Sequence, residues 1–193
     1  MSSRDAILAA VRANKPAASP VPVVPMFEHG SRCLLDQFQE ALTTVGGKLA
    51  PAGTGGLDSL LRSLFPDARV ICSAASELRG TRPLDGAMDP AALADVDVGV
   101  VRAAFGVAET GSVWLSEEEL KVNALAYLAQ HLVVLLDPAE IVGNLHQAYR
   151  DGRFRTARYA VLVTGPSATA DIEGVLVHGA QGVRSLTVVM APR

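Results

Sequence analysis

The stretch HLVVLLDPAEIV (131–142) constrains this chain more than any other. Residues 132–136 form an unbroken apolar run with no polar alternation. A strand with one wet face alternates, whereas a strand buried on both faces does not. The run passes directly into Asp137-Pro138-Ala139-Glu140, which combines a cap residue, a proline at the first helical position and an acid at the third. A helix is therefore expected to follow, burying Ile141, Val142, Leu145 and Tyr149. The same grammar recurs downstream. Residues 159–163 read as a strand ended by Gly165-Pro166-Ser167. Ile172, Val175, Leu176 and Gly179 then share one helical face, and residues 186–190 read as a last strand. Strand and helix alternate, so the expected fold is α/β: an open, mostly parallel sheet with helices on both faces.

The first half fills in the rest of that picture. Leu34, Leu35, Phe38, Ala41, Leu42 and Val45 repeat at helical spacing and are stopped by Gly46-Gly47. Leu57, Leu60, Leu61, Leu64 and Phe65 make a second stripe, ended by Pro66. Residues 69–73 and 97–101 are short β-branched runs with strand character. Asp89-Pro90 is another cap-and-proline pair. Residues 105–115 read as two short strand-like pieces around Glu109-Thr110-Gly111, and Ser116-Glu117-Glu118-Glu119 has the form of a capping box. Ahead of all this, residues 3–13 read as a helix with Ile7, Leu8 and Val11 on one face. The following KPAASPVPVVP (15–25) carries four prolines in eleven residues and is expected to be an extended linker. The division expected is 1–25 as an N-terminal helical arm and linker, and 26–193 as one domain.

Composition narrows the function classes. With 193 residues, 49% hydrophobic and 19% charged, the chain is globular and long enough for a sizeable core. A net charge of −3 with interspersed signs carries no nucleic-acid footprint. The N-terminus lacks the apolar core of a signal peptide, and no run approaches the roughly 20 apolar residues of a membrane span. A cytoplasmic location is expected. Cys33 and Cys72 are far apart and no C-x-x-C occurs, so zinc, iron–sulfur and thioredoxin-like signatures are absent and two buried, reduced thiols are expected. His29, His131, His146 and His178 have no metal-ligand spacing, so neither a metal nor a cofactor is expected.

Two loops can carry chemistry. In open α/β sheets, ligands bind beyond the carboxyl ends of the strands. In Ala108-Glu109-Thr110-Gly111-Ser112 a carboxylate lies between two apolar runs. Held in an apolar cleft, its pKa would rise and suit it to proton or acyl transfer. The same residues also suit a plain tight turn. Thr164-Gly165-Pro166-Ser167-Ala168-Thr169-Ala170-Asp171 is a strand-to-helix loop whose hydroxyls and N–H groups could hold an anion. It is neither a Walker A loop nor a G-x-G-x-x-G, and it equally reads as a well-capped helix start. Glu109 is the candidate catalytic residue. Thr110, Gly111, Gly165, Ser167, Thr169 and Asp171 are the candidate ligand-binding residues. Because both loops leave apolar strands, they are expected to face each other across one cleft at the carboxyl edge of the sheet. An antiparallel strand, residues 113–115 above all, would separate them.

Several segments together carry a family resemblance. FGVAETGSVWL (105–115) resembles the AETG or AENG segment of LUD-domain proteins. HLVVLLDPAEIV resembles their next strand and helix. GPSATADIE (165–173) is similar to their GPSxTADIE signature, and VHGAQGVR (177–184) to their HGP ending. The resemblance covers roughly residues 30–191 in order. Val183 stands where the family often has proline. Ala168 stands where it often has Lys or Arg, which removes one charge contact to an anion. The resemblance, to the lactate-utilisation (LutC-like) branch, implies a NagB/RpiA/CoA-transferase-like fold. It further implies a cluster-free subunit in the oxidation of L-lactate to pyruvate, working beside iron–sulfur subunits and binding a small anionic metabolite. A different reading is a CoA-transferase-like or isomerase-like enzyme with Glu109 as nucleophile, although Thr110 replaces the asparagine of the usual Glu-Asn-Gly turn. A third is a pure binding module.

Overall fold

A helix whose first turn is capped but which buries none of its residues opens the chain. The structure, a computed structural model, describes every residue except 1, 28, 29 and 52–54; His29 therefore lies outside the described residues. In helix α1 (Ser3–Ala13), Ser2 and Asp5 close a reciprocal capping box, yet no residue is buried. The proline-rich stretch behind it has no regular structure and is exposed. Next come α2 (Leu34–Thr44), strand β1 (Lys48–Ala50), α3 (Gly56–Leu64) and β2 (Ile71–Ser73). Asp89 caps a single 3-10 turn, Pro90–Leu93. Then β3 (Val98–Arg102), β4 (Phe105–Val107), β5 (Ser112–Ser116), α4 (Glu117–Leu120), α5 (Leu125–Leu128) and β6 (His131–Leu136) follow. The remainder is β7 (Ile141–Val142), α6 (Leu145–Ala148), α7 (Arg153–Thr156), β8 (Ala160–Val163), β9 (Ala168–Thr169), β10 (Val177–His178) and β11 (Ser185–Met190).

Five strands form the central sheet in the order β1-β11-β6-β3-β2, every neighbouring pair parallel. The reason for the unbroken apolar runs is visible in the two cores. Val98, Val100, Val133 and Leu135 pack with Leu61 of α3 on one face. Val101, Leu132, Val134 and Leu136 pack with Phe38 and Leu42 of α2 and with Leu125 of α5 on the other. Successive side chains point to opposite faces, so both must be apolar. Fold class is thus α/β with a mostly parallel central sheet and helices on both sides.

The structure departs from the expected single sheet. β4 and β5 form an antiparallel hairpin, β5 pairs antiparallel with β8, and β4 pairs parallel with β7, giving a second sheet in the order β7-β4-β5-β8. A parallel return needs a crossover of a dozen or more residues, and the turn between β4 and β5 has only four. Val113 and Leu115 face the main core, while Phe105 and Trp114 stack on each other at 5.5 Å in a smaller one.

Two expected helices are absent. After Asp137 the chain makes one 3-10 turn (Pro138–Glu140), and Ile141 and Val142 pair with β4 instead. Asn144 then caps the short α6, and Tyr149 is exposed rather than buried. Likewise residues 172–179 are not a helix. β9 and β10 pair antiparallel, Glu173 and Gly174 have φ of 54° and 69°, and Ile172, Val175 and Leu176 are exposed. Thr169 donates to Asp171, a local bond that competes with helical pairing. One strand, β1, carries no sequence signal and takes its place by pairing with β11. Cys72 is buried as expected, but Cys33 is exposed at the entrance to α2.

Candidate functional site

The hairpin between β4 and β5 is held from both sides. Ala108 N–H donates to Val142 O and Glu109 N–H to Gly143 O, which ties the turn to β7. Gly111 N–H closes the turn onto Val107 O. Gly111 has φ +65°, and a Cβ there would stand 2.3 Å from Leu42 N, so only glycine lets α2 pack on this turn. Gly165, at the end of β8, repeats the device: φ is +76°, and a Cβ would lie 2.3 Å from Val45 O. Both loops therefore dock against the carboxyl-terminal half of α2.

Between the loops runs a short row of hydroxyls. Thr110 Oγ1 lies 2.6 Å from Ser112 Oγ, which lies 2.7 Å from Thr164 Oγ1. Ser112 is 2% exposed, so its hydroxyl depends on these neighbours. A cleft of about 480 Å³ opens beside this row. Its walls are Ala108, Glu109, Thr110 and Thr164 on the strand side and Gln37, Glu40, Ala41, Thr44 and Val45 of α2 on the other, with Arg32 at the mouth. The Arg32 guanidinium donates to Glu40 at 2.7 Å, both side chains being largely exposed. Glu109 is not enclosed in apolar surroundings as its flanks suggested. It is exposed, because the turn ends both apolar runs, and its Oε2 accepts Leu145 N–H at 3.0 Å. That bond satisfies an otherwise free donor at the start of α6. Close by, Asn144 donates to Phe27 O and the Phe27 ring meets His146 at 4.6 Å, which fastens the end of the linker next to the cleft.

Of the candidate residues, the structure brings Glu109 and Thr110 to the cleft, with Gly111 and Gly165 buried as the packing points beneath it. Ser167, Thr169 and Asp171 do not line it. Ser167 N–H donates to Val183 O, its side chain abuts Gly182, and the chain then leaves along the exposed β9–β10 hairpin. The two loops meet at Thr164 and Gly165 only, and there they form one wall of the cleft with α2 opposite, rather than facing each other across it as expected. They meet despite β5 being antiparallel, since β4 and β8 flank it and therefore run the same way. Arg32, Gln37, Glu40 and Thr44 were not anticipated. Positions 37, 40 and 44 repeat at helical spacing on the polar side of α2, a signal for a shared face but not for what faces it.

Chemically, this is a small polar cleft with one cation, one amide, hydroxyl donors and two carboxylates. Among the described residues, no group of three or more metal-ligating side chains occurs, and no helix is long and apolar enough to cross a membrane.

A parallel central sheet flanked by a mixed sheet, with a hydroxyl-lined cleft beside α2, defines the class: an α/β protein with a polar surface cleft. Comparison with known proteins supplies the family. The LUD domain matches residues 89–190, just over half the chain, and the chain belongs to the LUD-domain family. It is similar to YkgG of Escherichia coli strain K12, 31% identical over 107 residues, covering 52% of this chain and 46% of that protein. It is also similar to NMB1437 of Neisseria meningitidis serogroup B, 28% identical over 98 residues, covering 49% and 42%. The matches thus span less than half the length of these relatives. A crystal structure of a DUF162 family protein from Deinococcus radiodurans shares the fold, with a TM-score of 0.62 over 81% of this chain and 95% of that one, at 17% identity.

Proposed function

We propose that this protein is the cluster-free component of an L-lactate utilisation system, and that it binds a small 2-hydroxy or 2-keto acid in the cleft between α2 and the β4–β5 hairpin. One observation carries the reading: a LUD-domain chain places Arg32 on the same cleft as the Thr110–Ser112–Thr164 hydroxyl row. A guanidinium pairs with a carboxylate in a fork geometry. A hydroxyl row supplies donors and acceptors to the neighbouring oxygen. The iron–sulfur chemistry of lactate oxidation then belongs to partner subunits, since four thiolates are the usual holder of a cluster. Deleting the gene and growing the cells on L-lactate tests the role. Growth should fail and return with the wild-type gene but not with Arg32→Ala/Thr110→Val; normal growth of the deletion strain, with no paralogue present, contradicts it.

A covalent role for Glu109 in acyl transfer competes with this reading, because Glu109 also lines the cleft. Its Leu145 contact favours a positioning duty. Incubation with acyl-CoA thioesters followed by borohydride should leave the mass of the Glu109 peptide unchanged; a modified peptide would establish the nucleophile instead.

A further inference from the structure

A second cleft, also of about 480 Å³, opens at the opposite end of the architecture, on the amino-terminal edge of the parallel sheet. Ser185 and His131, the first residues of β11 and β6, are register partners at that edge, and Lys48, the first residue of the adjacent β1, lies two residues further along β11, opposite Thr187. Arg184 and Gln130 immediately precede two of them. Asp97 enters from the start of β3, and Phe65 and Asp67 from the end of α3 and the turn behind it.

The imidazole of His131 is fixed in this cleft. Nδ1 lies 2.8 Å from Ser185 Oγ, and the ring stacks on Phe65 with centroids 4.8 Å apart. In the tautomer in which Ser185 donates to Nδ1, and in the imidazolium, Nε2 carries a proton and is a donor for a bound group. Asp97 lies on the same cleft and its charge favours the imidazolium, while its Oδ2 accepts Arg69 N–H and Val70 N–H, each at 2.8 Å. Among the described residues, neither the Lys48 ammonium nor the Arg184 guanidinium has a salt-bridge partner. Two cations and an oriented imidazole thus share one concave site with the carboxylates of Asp67 and Asp97, neither of which is ion-paired with Lys48 or Arg184 among the described residues.

We propose that this amino-edge cleft is a second binding site, taking a small metabolite through an oxyanion group, phosphate or carboxylate, held by Lys48 and Arg184 with the His131 Nε2–H as the directional donor. The site is separate from the cleft beside Glu109 and does not depend on how that cleft is used. Its electrostatics agree. Burial pushes His131 below the ordinary imidazole range, the Arg184 charge adds to this, Asp97 opposes it, and Lys48 adds again. A bound anion offsets the two cations and favours the imidazolium, so the His131 pKa must rise on binding. By linkage, the anion binds more weakly as pH rises through that titration.

The test is a nuclear magnetic resonance titration of the imidazole signals of the full chain, with His131 assigned from His131→Gln. Inorganic phosphate and L-lactate are titrated separately at constant ionic strength. The expected result is a saturable change in the His131 signals and an upward pKa shift of roughly half a unit or more. Saturation by phosphate alone assigns the phosphate group, and saturation by lactate alone assigns the carboxylate. Lys48→Gln and Arg184→Gln, both at exposed positions, should each weaken binding at least about tenfold, the low end of losses for one charge-assisted contact, with unchanged thermal unfolding. The proposal is overturned if neither anion moves the His131 signals, or if the shift persists undiminished in both variants.

Discussion

The hydroxyl of Ser112, at the start of β5, lies 2.7 Å from the hydroxyl of Thr164, just past the end of β8, and this contact joins the two loops at the cleft. Because Ser112 is 2% exposed, water does not readily replace its partners. Ser112→Ala should lower stability by about 0.5–1.5 kcal/mol, the usual net worth of a hydrogen bond, since the partners left behind reach solvent. Thr164→Val should cost less, its side chain being at the exposed rim. A double-mutant cycle by urea unfolding should give a coupling of roughly 0.5–1.5 kcal/mol; strict additivity would show that the contact is incidental.

The glycine at 111 makes a sharper case. Its φ of +65° and the 2.3 Å approach to Leu42 N leave no room for a methyl group. Gly111→Ala should destabilise the protein by about 2 kcal/mol or more, combining backbone strain with a backbone clash. The loss would appear as a lowered unfolding midpoint. Gly152→Ala, where a Cβ meets nothing within 4 Å, is the internal control and should be nearly silent.

Asp97 sets an acid limit. Hydrogen bonds from Val70 and Arg69 N–H hold its carboxyl below the ordinary 3.8 against desolvation, with the Arg69 and His131 charges adding less. A carboxyl group depressed in the folded state adds stability above its unfolded pKa, and that stability is lost as pH falls through the lower folded value. Unfolding midpoints should therefore drop as pH falls below about 3.8, the unperturbed value. Asp97→Asn should be less stable at neutral pH and flatter across this window. An equally steep acid limb in the variant would place the limit elsewhere.

The phenols of Tyr127 and Tyr159 share a hydrogen bond between α5 and the start of β8. Desolvation first, then that bond and the neighbouring phenol, push Tyr127 up to about 12. Of the chain's three tyrosines, one should stay protonated in an ultraviolet titration well above pH 10. Tyr159→Phe should bring it back toward 10; three coincident titrations in the wild type would contradict the contact.

How much of this was legible in the sequence differs between the two sheets. Residues 132–136, 97–101 and 186–190 announced parallel strands because a doubly buried strand must be apolar throughout, and that pattern is local. The second sheet was hidden because its assignment depends on chain reversal. Val161 and Val163 look the same whether their neighbour runs parallel or antiparallel. The false helix over 172–179 shows the converse. Ile172, Val175, Leu176 and Gly179 do fall at helical spacing, but none of the three apolar residues is buried, and spacing has force only when a core receives it. At the cleft, Glu109 and Thr110 stood out because their turn interrupts two apolar runs. Arg32, just ahead of α2, and Gln37, in α2, lie about seventy residues earlier, and only folding brings them there.

The most direct measurement is calorimetric titration of the full chain with L-lactate and with pyruvate, in parallel on the wild type and on Arg32→Ala/Thr110→Val. The account predicts saturable binding of at least one of the two acids by the wild type, weakened at least about tenfold in the double variant, as expected for loss of an ionic hydrogen bond, while Lys48→Gln binds at this cleft as the wild type does. Saturable binding that survives undiminished in the Arg32 and Thr110 double variant, or no binding of either acid by a folded wild-type chain, would contradict it.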